Sequence, residues 1–171
     1  MDFPSISRGT FRMIGKFYLH YAGDRKMRVA VSDPPTGPFK DTGKWMFPDL
    51  EFSIDGHAFK DPGNGNWYLF FAKDFFDQRP GTALAVVQLA DDVITRVGEQ
   101  KTVMCAFADW QIYERDRDLY NRKWDAWHTV ECPVVIFPRR EIPAVLLMWK
   151  LANAGIRRRL CGFGHRHRYL R

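Results

Sequence analysis

The chain has 171 residues, enough for one ordinary domain, and 46% of them are hydrophobic, which is ample for a packed core. A formal charge of +6 would by itself favour a nucleic-acid partner, but the charge is unevenly distributed. Residues 139–171 contain nine Lys or Arg and one Glu, whereas residues 1–138 contain 17 basic and 19 acidic residues. Because the body of the chain is slightly acidic, we expect no nucleic-acid partner.

The N-terminal sequence MDFPSISRGTF lacks the basic start and apolar core of a signal peptide. No apolar run approaches the length of a membrane span, so we expect no membrane partner. Cys105, Cys132 and Cys161 form no CxxC pair, and their odd number argues against a closed disulfide framework. Localisation stays unknown, because we expect the native N-terminus to be missing.

Two segments resemble each other fifty residues apart. GKFYLHYAG begins at Gly15 and GNWYLFFAK at Gly65, and each is followed by a second apolar run, beginning at Met27 and Thr82. The β-branched and aromatic composition, punctuated by Gly, Pro, Asn and Asp, predicts strand, loop and strand in each case. VITRVGEQKTVM, from Val93, predicts a further outer strand. An all-β pattern with a period near 50 residues is typical of propeller blades.

Residues 108–127, ADWQIYERDRDLYNRKWDAW, interrupt this pattern because they are charged, aromatic and only weakly periodic. They predict either the one helix of the chain or an ordered insertion loop over a binding face.

Two carboxylates stand where strands of successive repeats should open. Asp55 lies in SIDGHAFKD and Glu131 in TVECPVVIF, each beside a histidine. In a propeller the innermost strands converge around the axis, so these carboxylates are expected to share a pocket. Two carboxylates from different blades suit glycoside hydrolysis, although a lone Asp near a turn is more often a turn former. We interpret His57 and His128 as hydrogen-bonding residues near that pocket; with no third ligand evident, we expect no metal and no cofactor.

These motifs carry a resemblance. Three segments of the chain, in their order, resemble glycoside hydrolase family 43, the five-bladed propeller arabinanases, arabinofuranosidases and xylosidases. The segments are YLHYAG…MRVAVSDPPTGPF, SIDGHAFKD…GNWYLFF and WHTVECPVV. The resemblance implies that Glu131 is the general acid and that Asp55 orients it and tunes its pKa. It also implies hydrolysis with inversion at the anomeric carbon. Trp110, Trp124 and Trp127 either stack on sugar rings or belong to the core.

The chain departs from the family pattern at three places. The general-base Asp of the family precedes the strand corresponding to GKFYL, and we find no credible equivalent, so we expect the general base to be absent from this chain. Gly56 replaces the Pro that follows the family's Asp. Cys132 replaces the Gly that follows its Glu, which adds a side chain where the backbone should run close to substrate.

The pattern also changes after Phe137. The repeat predicts an aromatic strand near residues 142–147, and the chain instead continues as an Arg-rich segment. One interpretation is a basic surface helix with membrane affinity. Another is translation out of frame, since a one-base shift with synonymous codons can turn residues 141–163 into a sequence containing NWQTPGYGVGYA. We therefore divide the chain into a partial propeller, 1–138, and a non-native-looking basic tail, 139–171.

The sequence thus predicts an all-β, partial five-bladed propeller of about two blades and part of a third. The predicted function is that of an inverting glycoside hydrolase whose partner is an arabinose- or xylose-containing plant polysaccharide or oligosaccharide, this chain being an inactive fragment. A non-catalytic carbohydrate-binding fragment, using Trp124 and Trp127, is the alternative. A nucleic-acid or membrane-surface protein built around the basic tail ranks last.

Overall fold

The structure is a computed structural model, and it describes residues 5–13, 15–136, 144–151 and 155–161. In these residues the fold is built from thirteen strands and one short 3-10 turn. The strands are β1 (Ser5–Met13), β2 (Lys16–Gly23), β3 (Lys26–Ser32), β4 (Lys40–Trp45), β5 (Ser53–Lys60), β6 (Trp67–Phe75), β7 (Gly81–Leu89), β8 (Arg96–Met104), β9 (Ile112–Leu119), β10 (Arg122–His128), β11 (Glu131–Ile136), β12 (Ala144–Leu151) and β13 (Gly155–Cys161).

The first sheet is an antiparallel meander in the order β1-β2-β3-β4. Its central hairpin pairs Gly23 with Lys26 across two residues, Asp24 and Arg25, that both have positive φ. A two-residue turn of that hand matches the twist of the flanking strands. The second sheet repeats the meander as β5-β6-β7-β8, so the fifty-residue repeat corresponds to two successive four-stranded units.

The segment 108–127 does not form the helix considered for it, and the ordered insertion considered as the alternative is built largely from two strands. After the 3-10 turn Asp109–Gln111 it becomes a hairpin of β9 and β10, which joins β7 through a parallel pairing of His128 with Gly81. A Cβ on Gly81 would lie 2.0 Å from the carbonyl oxygen of His128, so glycine is what permits this close approach.

The third sheet has the order β11-β12-β13. The basic helix considered for the C-terminal segment is wrong for the described residues, because 144–151 and 155–161 are antiparallel strands. β12 lies close to where the repeat predicts the next strand. Whether residues 139–171 are translated out of frame concerns the origin of the sequence, and it stays a prediction.

The main core lies between the first two sheets. Met27 and Val29 from β3 pack with Leu69 and Phe71 from β6, and Phe71 stacks on Phe47 with ring centroids 4.1 Å apart. These side chains are fully buried, which accounts for the near-continuous apolar runs of β6 and β7.

The first strands of successive sheets adjoin, since β5 contacts both β1 and β11. Consecutive antiparallel meanders arranged in this way are successive propeller blades, about two of them and part of a third. In the stretches that the structure describes, no helix has the length and apolar character needed to cross a membrane.

Candidate functional site

Asp55 and Glu131 lie near the start of the first strands of the second and third sheets, and those strands, β5 and β11, contact each other. Each strand carries an irregularity at this point. The pairing of β5 with β6 slips between Ile54 and His57, and that of β11 with β12 slips between Glu131 and Pro133. A bulge places an extra residue in one strand and re-aims the neighbouring side chains.

The sequence repeat paired Asp55 with Glu131, but the two bulges show that the equivalent positions are offset from that pairing by one residue. Asp55 and Cys132 both have a φ of +56°, the left-handed conformation of the first residue of such a bulge. Asp55 therefore corresponds to Cys132, and Glu131 corresponds to Ile54. The two carboxylates are neighbours across the blade boundary, but they are not equivalent positions of a repeat.

Cys132 connects the two acids. Its backbone N–H donates to Asp55 Oδ2 at 3.2 Å, and its thiol donates to the same oxygen at 3.0 Å. Glu131 has a different partner, because the Thr82 hydroxyl donates to Glu131 Oε1 at 3.1 Å. Thr82 is itself held by the Val130 N–H, which donates to its Oγ1 at 3.2 Å. The start of β7 thus supports one carboxylate and the bulge of β11 supports the other.

Burial decides the ionisation of this pair. Burial and, after it, the charge of Asp55 together raise the pKa of Glu131 to about 7. Burial also raises the pKa of Asp55, but the two hydrogen bonds from Cys132 favour its charged form and oppose that rise. The two donors from Cys132 therefore favour ionisation of Asp55 over that of Glu131, which holds its proton up to about pH 7. A protonated carboxyl beside a carboxylate is equipped for general acid catalysis.

Several residues around Glu131 were missed by sequence reasoning. Asp74, at the end of β6, accepts a short hydrogen bond from the Tyr120 hydroxyl, and its charge also raises the pKa of Glu131. Burial raises the pKa of Asp74, and the charge of Arg117 lowers the pKa values of both Asp74 and Glu131. Thr82 follows a glycine at a strand start, and that glycine was its only sequence signal. Tyr120 and Arg117 come from the β9–β10 hairpin, whose placement no local pattern indicates, and Asp74 ends a strand with no motif around it.

The predicted histidines occupy different surroundings. His57 lies in β5 just beyond the bulge, and burial lowers its pKa, which favours a neutral imidazole there. His128 faces another cleft. Its Nδ1 lies 3.0 Å from the carbonyl oxygen of Pro80, so it carries the proton, and Nε2 accepts from Arg79 Nη1 at 3.4 Å. Among the described residues, no three His, Cys, Asp or Glu side chains form a group that could hold a metal ion.

The predicted tryptophans of the hairpin are core residues in this structure. Trp124 and Trp127 are 6% and 3% exposed and pack edge to face with ring centroids 5.4 Å apart. Phe76 stacks on Trp124 and is itself 54% exposed, so it is the aromatic surface that this cluster presents. Trp110 lies outside the cluster and is 43% exposed.

Comparison with known proteins adds an independent observation. The profile of the family described as glycosyl hydrolases family 43 matches residues 4–126, more than half of the chain. The search of curated proteins found no match to this chain.

Solved structures share the fold. A thermostable family-43 glycoside hydrolase is 24% identical with a TM-score of 0.66, over 82% of this chain and 44% of that one. An endo-arabinase from Bacteroides thetaiotaomicron VPI-5482 is 18% identical with a TM-score of 0.61, over 81% and 49%. An exo-1,5-alpha-L-arabinanase from a bovine ruminal metagenomic library is 21% identical with a TM-score of 0.51, over 82% and 44%. The chain spans less than half the length of each, and the predicted partial five-bladed propeller is confirmed.

Proposed function

This chain belongs to glycosyl hydrolase family 43, and from that premise we propose that it carries the acid half of an inverting glycoside hydrolase site. Its substrate would be an arabinose- or xylose-containing polysaccharide or oligosaccharide. The endo-arabinase and the exo-arabinanase among the structural neighbours support the arabinose-containing class.

The observation that carries the proposal is the buried Asp55–Glu131 pair at the boundary between two blades, in which Cys132 donates to Asp55 and Thr82 donates to Glu131. In the proposed reaction Glu131 donates its proton to the glycosidic oxygen as the bond from that oxygen to the anomeric carbon breaks. Asp55 keeps its negative charge and so holds the proton on Glu131 until the leaving oxygen takes it. Water attacks the opposite face of the sugar and must lose a proton to a second carboxylate.

We propose that this chain does not supply that second carboxylate. Asp74 is the other acid whose charge influences Glu131, but its Oδ2 is engaged by Tyr120 and burial raises its pKa. The general base must be an ionised carboxylate that faces the attacking water on the opposite side of the sugar ring from Glu131. The 171-residue chain is therefore expected to have no turnover of its own.

The test compares the 171-residue chain with a longer product in which the flanking reading frames are restored from the source DNA. Both are incubated with nitrophenyl arabinofuranoside, nitrophenyl xyloside and arabino-oligosaccharides. We expect release of pentose only by the longer product, with the inverted anomer formed first in proton NMR. Glu131→Gln in that product should lower kcat by about 10²–10⁴-fold for the oligosaccharides.

Three results would count against the proposal: turnover by the 171-residue chain, retention of the anomeric configuration, or full activity of the Glu131→Gln variant. The non-catalytic alternative relied on stacking by Trp124 and Trp127, and their burial gives it no support.

A further inference from the structure

Thr82 places a buried hydroxyl group beside the acid, at the start of β7. The residue is 4% exposed, and its Oγ1 lies 3.1 Å from Glu131 Oε1 and 3.2 Å from the backbone nitrogen of Val130. The effect of this hydroxyl on the acid depends on the direction of each of the two hydrogen bonds.

The position of the hydroxyl is fixed by the way β7 meets the end of β10. Gly81, the residue before Thr82, pairs with His128, and a Cβ on Gly81 would lie 2.0 Å from the carbonyl oxygen of His128. Val130 is fully buried and packs in one apolar cluster with Leu84 of β7. The β-branched side chain of Thr82 also has few χ1 rotamers. The hydroxyl is therefore held against the backbone of Val130 rather than free to turn.

The direction of both hydrogen bonds follows from what each group can offer. A threonine hydroxyl has one hydrogen to donate and two lone pairs with which to accept. The backbone N–H of Val130 can only donate, so it occupies one lone pair of Thr82 Oγ1. The hydrogen of Thr82 is left for Glu131 Oε1, its one acceptor among the residues that the structure describes. If Glu131 donated from Oε1 instead, the Thr82 hydrogen would be buried without a partner, and buried polar groups rarely are.

This arrangement determines which oxygen of Glu131 carries the proton. A protonated carboxyl has one carbonyl oxygen, which accepts, and one hydroxyl, which donates. Because Oε1 accepts from Thr82, Oε1 is the carbonyl oxygen and the proton is on Oε2. In the described part of the chain no group is hydrogen-bonded to Oε2, and Oε2 is not one of the fully buried polar atoms that lack a partner. The proton therefore lies on the oxygen that a ligand can reach.

The contact with Thr82 becomes stronger as the proton leaves. When Oε2 gives its proton to a glycosidic oxygen, the electron pair of the O–H bond stays on Glu131, which becomes a carboxylate. Thr82 then donates to a charged acceptor, and hydrogen bonds to ionised groups are shorter and stronger than those to neutral ones. Burial raises the pKa of Glu131, and the hydrogen bond from Thr82 opposes that rise. The hydroxyl thus favours the charge that develops during proton transfer.

From these contacts we propose that Thr82 is a positioning residue of the acid. Its hydroxyl, engaged by Val130, keeps the transferable proton of Glu131 on Oε2 and stabilises the carboxylate that remains after transfer. The transfer to a sugar rests on the proposed function, whereas the placement of the proton can be measured without it.

The first test measures the titration midpoint of Glu131 in the 171-residue chain by carbon-13 NMR of side-chain carboxyl groups. Thr82→Val keeps the shape of the side chain and removes the donor, so the midpoint should move to higher pH. Thr82→Ser keeps the hydroxyl and should restore the midpoint of the parent. Thr102→Val, the same change at an exposed position of β8, is the control and should have no effect. A midpoint that Thr82→Val leaves unchanged or lowers would overturn the proposal.

The second test requires no variant. Neutron diffraction from deuterated crystals of the 171-residue chain, at a pH well below the measured midpoint, locates the hydrogen atoms. The deuterium of Thr82 should point to Glu131 Oε1, and the carboxyl deuterium should be on Oε2. A deuterium on Oε1 that points to Thr82 would overturn the proposal.

The third test separates this proposal from the proposed function. In the longer product with restored reading frames, Thr82→Val should lower kcat for arabino-oligosaccharides by about 5- to 20-fold and leave KM nearly unchanged. Nitrophenyl arabinofuranoside should be affected less, because its leaving group needs little protonation. Equal losses with both substrates would overturn the role of Thr82 in proton transfer. If the longer product shows no turnover, the proposed function is wrong, and the NMR and neutron results still decide where the proton lies.

Discussion

At the scale of the residue, Glu131 is a carboxyl whose burial makes it costly to ionise. Its pKa is raised from 4.5 to about 7, so the folded chain holds a proton that the unfolded chain releases between those pH values. This contribution to stability is fully present below about pH 4.5 and is lost as the pH rises through 7.

Glu131→Gln removes the ionisable group and should abolish this dependence. At pH 8 the free energy of unfolding of the variant should exceed that of the parent by on the order of 2 kcal/mol. At pH 4.5 the two proteins should have the same free energy of unfolding. Urea denaturation at both pH values is the measurement. An equal difference at pH 4.5 and pH 8 would show that Glu131 does not titrate in this range.

At the scale of the element, the bulge in β11 determines where both acids point. Cys132 occupies the left-handed conformation there, which is strained for any residue with a Cβ. We expect Cys132→Gly to be more stable than Cys132→Ala by about 1 kcal/mol, because both lose the thiol and only Ala keeps the strain.

Cys105 provides the matched comparison, since it is not among the residues with positive φ. There the order should reverse, with Ala more stable than Gly, because glycine only adds freedom to the unfolded chain. Thermal unfolding of the four variants measures both differences. Ala more stable than Gly at position 132 as well would contradict the assigned bulge.

The elements also show what sequence can and cannot predict. β2, β3, β6 and β7 are recognisable because their apolar runs are long and bounded by turn residues. The β9–β10 hairpin was missed because its outward residues are charged and its register depends on two residues of positive φ, Tyr120 and Asn121. The position of Thr82 under Glu131 and the one-residue offset between the bulges arise from contacts between blades. No local pattern encodes such contacts.

At the scale of the whole molecule, the residues that the structure describes form three successive sheets, and the chain covers 44–49% of the three solved structures compared with it. Open sheets leave strand edges without partners. The third sheet contains β13, whose sequence GIRRRLC carries the basic cluster of the C-terminal segment.

The out-of-frame interpretation of residues 139–171 predicts what the source DNA contains. Independent reads from about codon 130 onward should show a shifted frame that stays open and encodes a sequence like NWQTPGYGVGYA. A closed shifted frame, with the basic segment detected by mass spectrometry of the expressed protein, would establish that segment as genuine and end the interpretation.

Burial together with the charge of Asp55 keeps a proton on Glu131, and carbon-13 NMR of side-chain carboxyl groups detects that proton directly, without requiring turnover. In the 171-residue chain the Glu131 signal, assigned by its loss in Glu131→Gln, should titrate with a midpoint near 7. In Asp55→Asn the midpoint should fall, because the neighbouring negative charge is gone. A midpoint near the ordinary glutamate pKa of 4.5 would show that burial does not hold the proton, and a midpoint that Asp55→Asn leaves unchanged would show that the charge of Asp55 has no part in it.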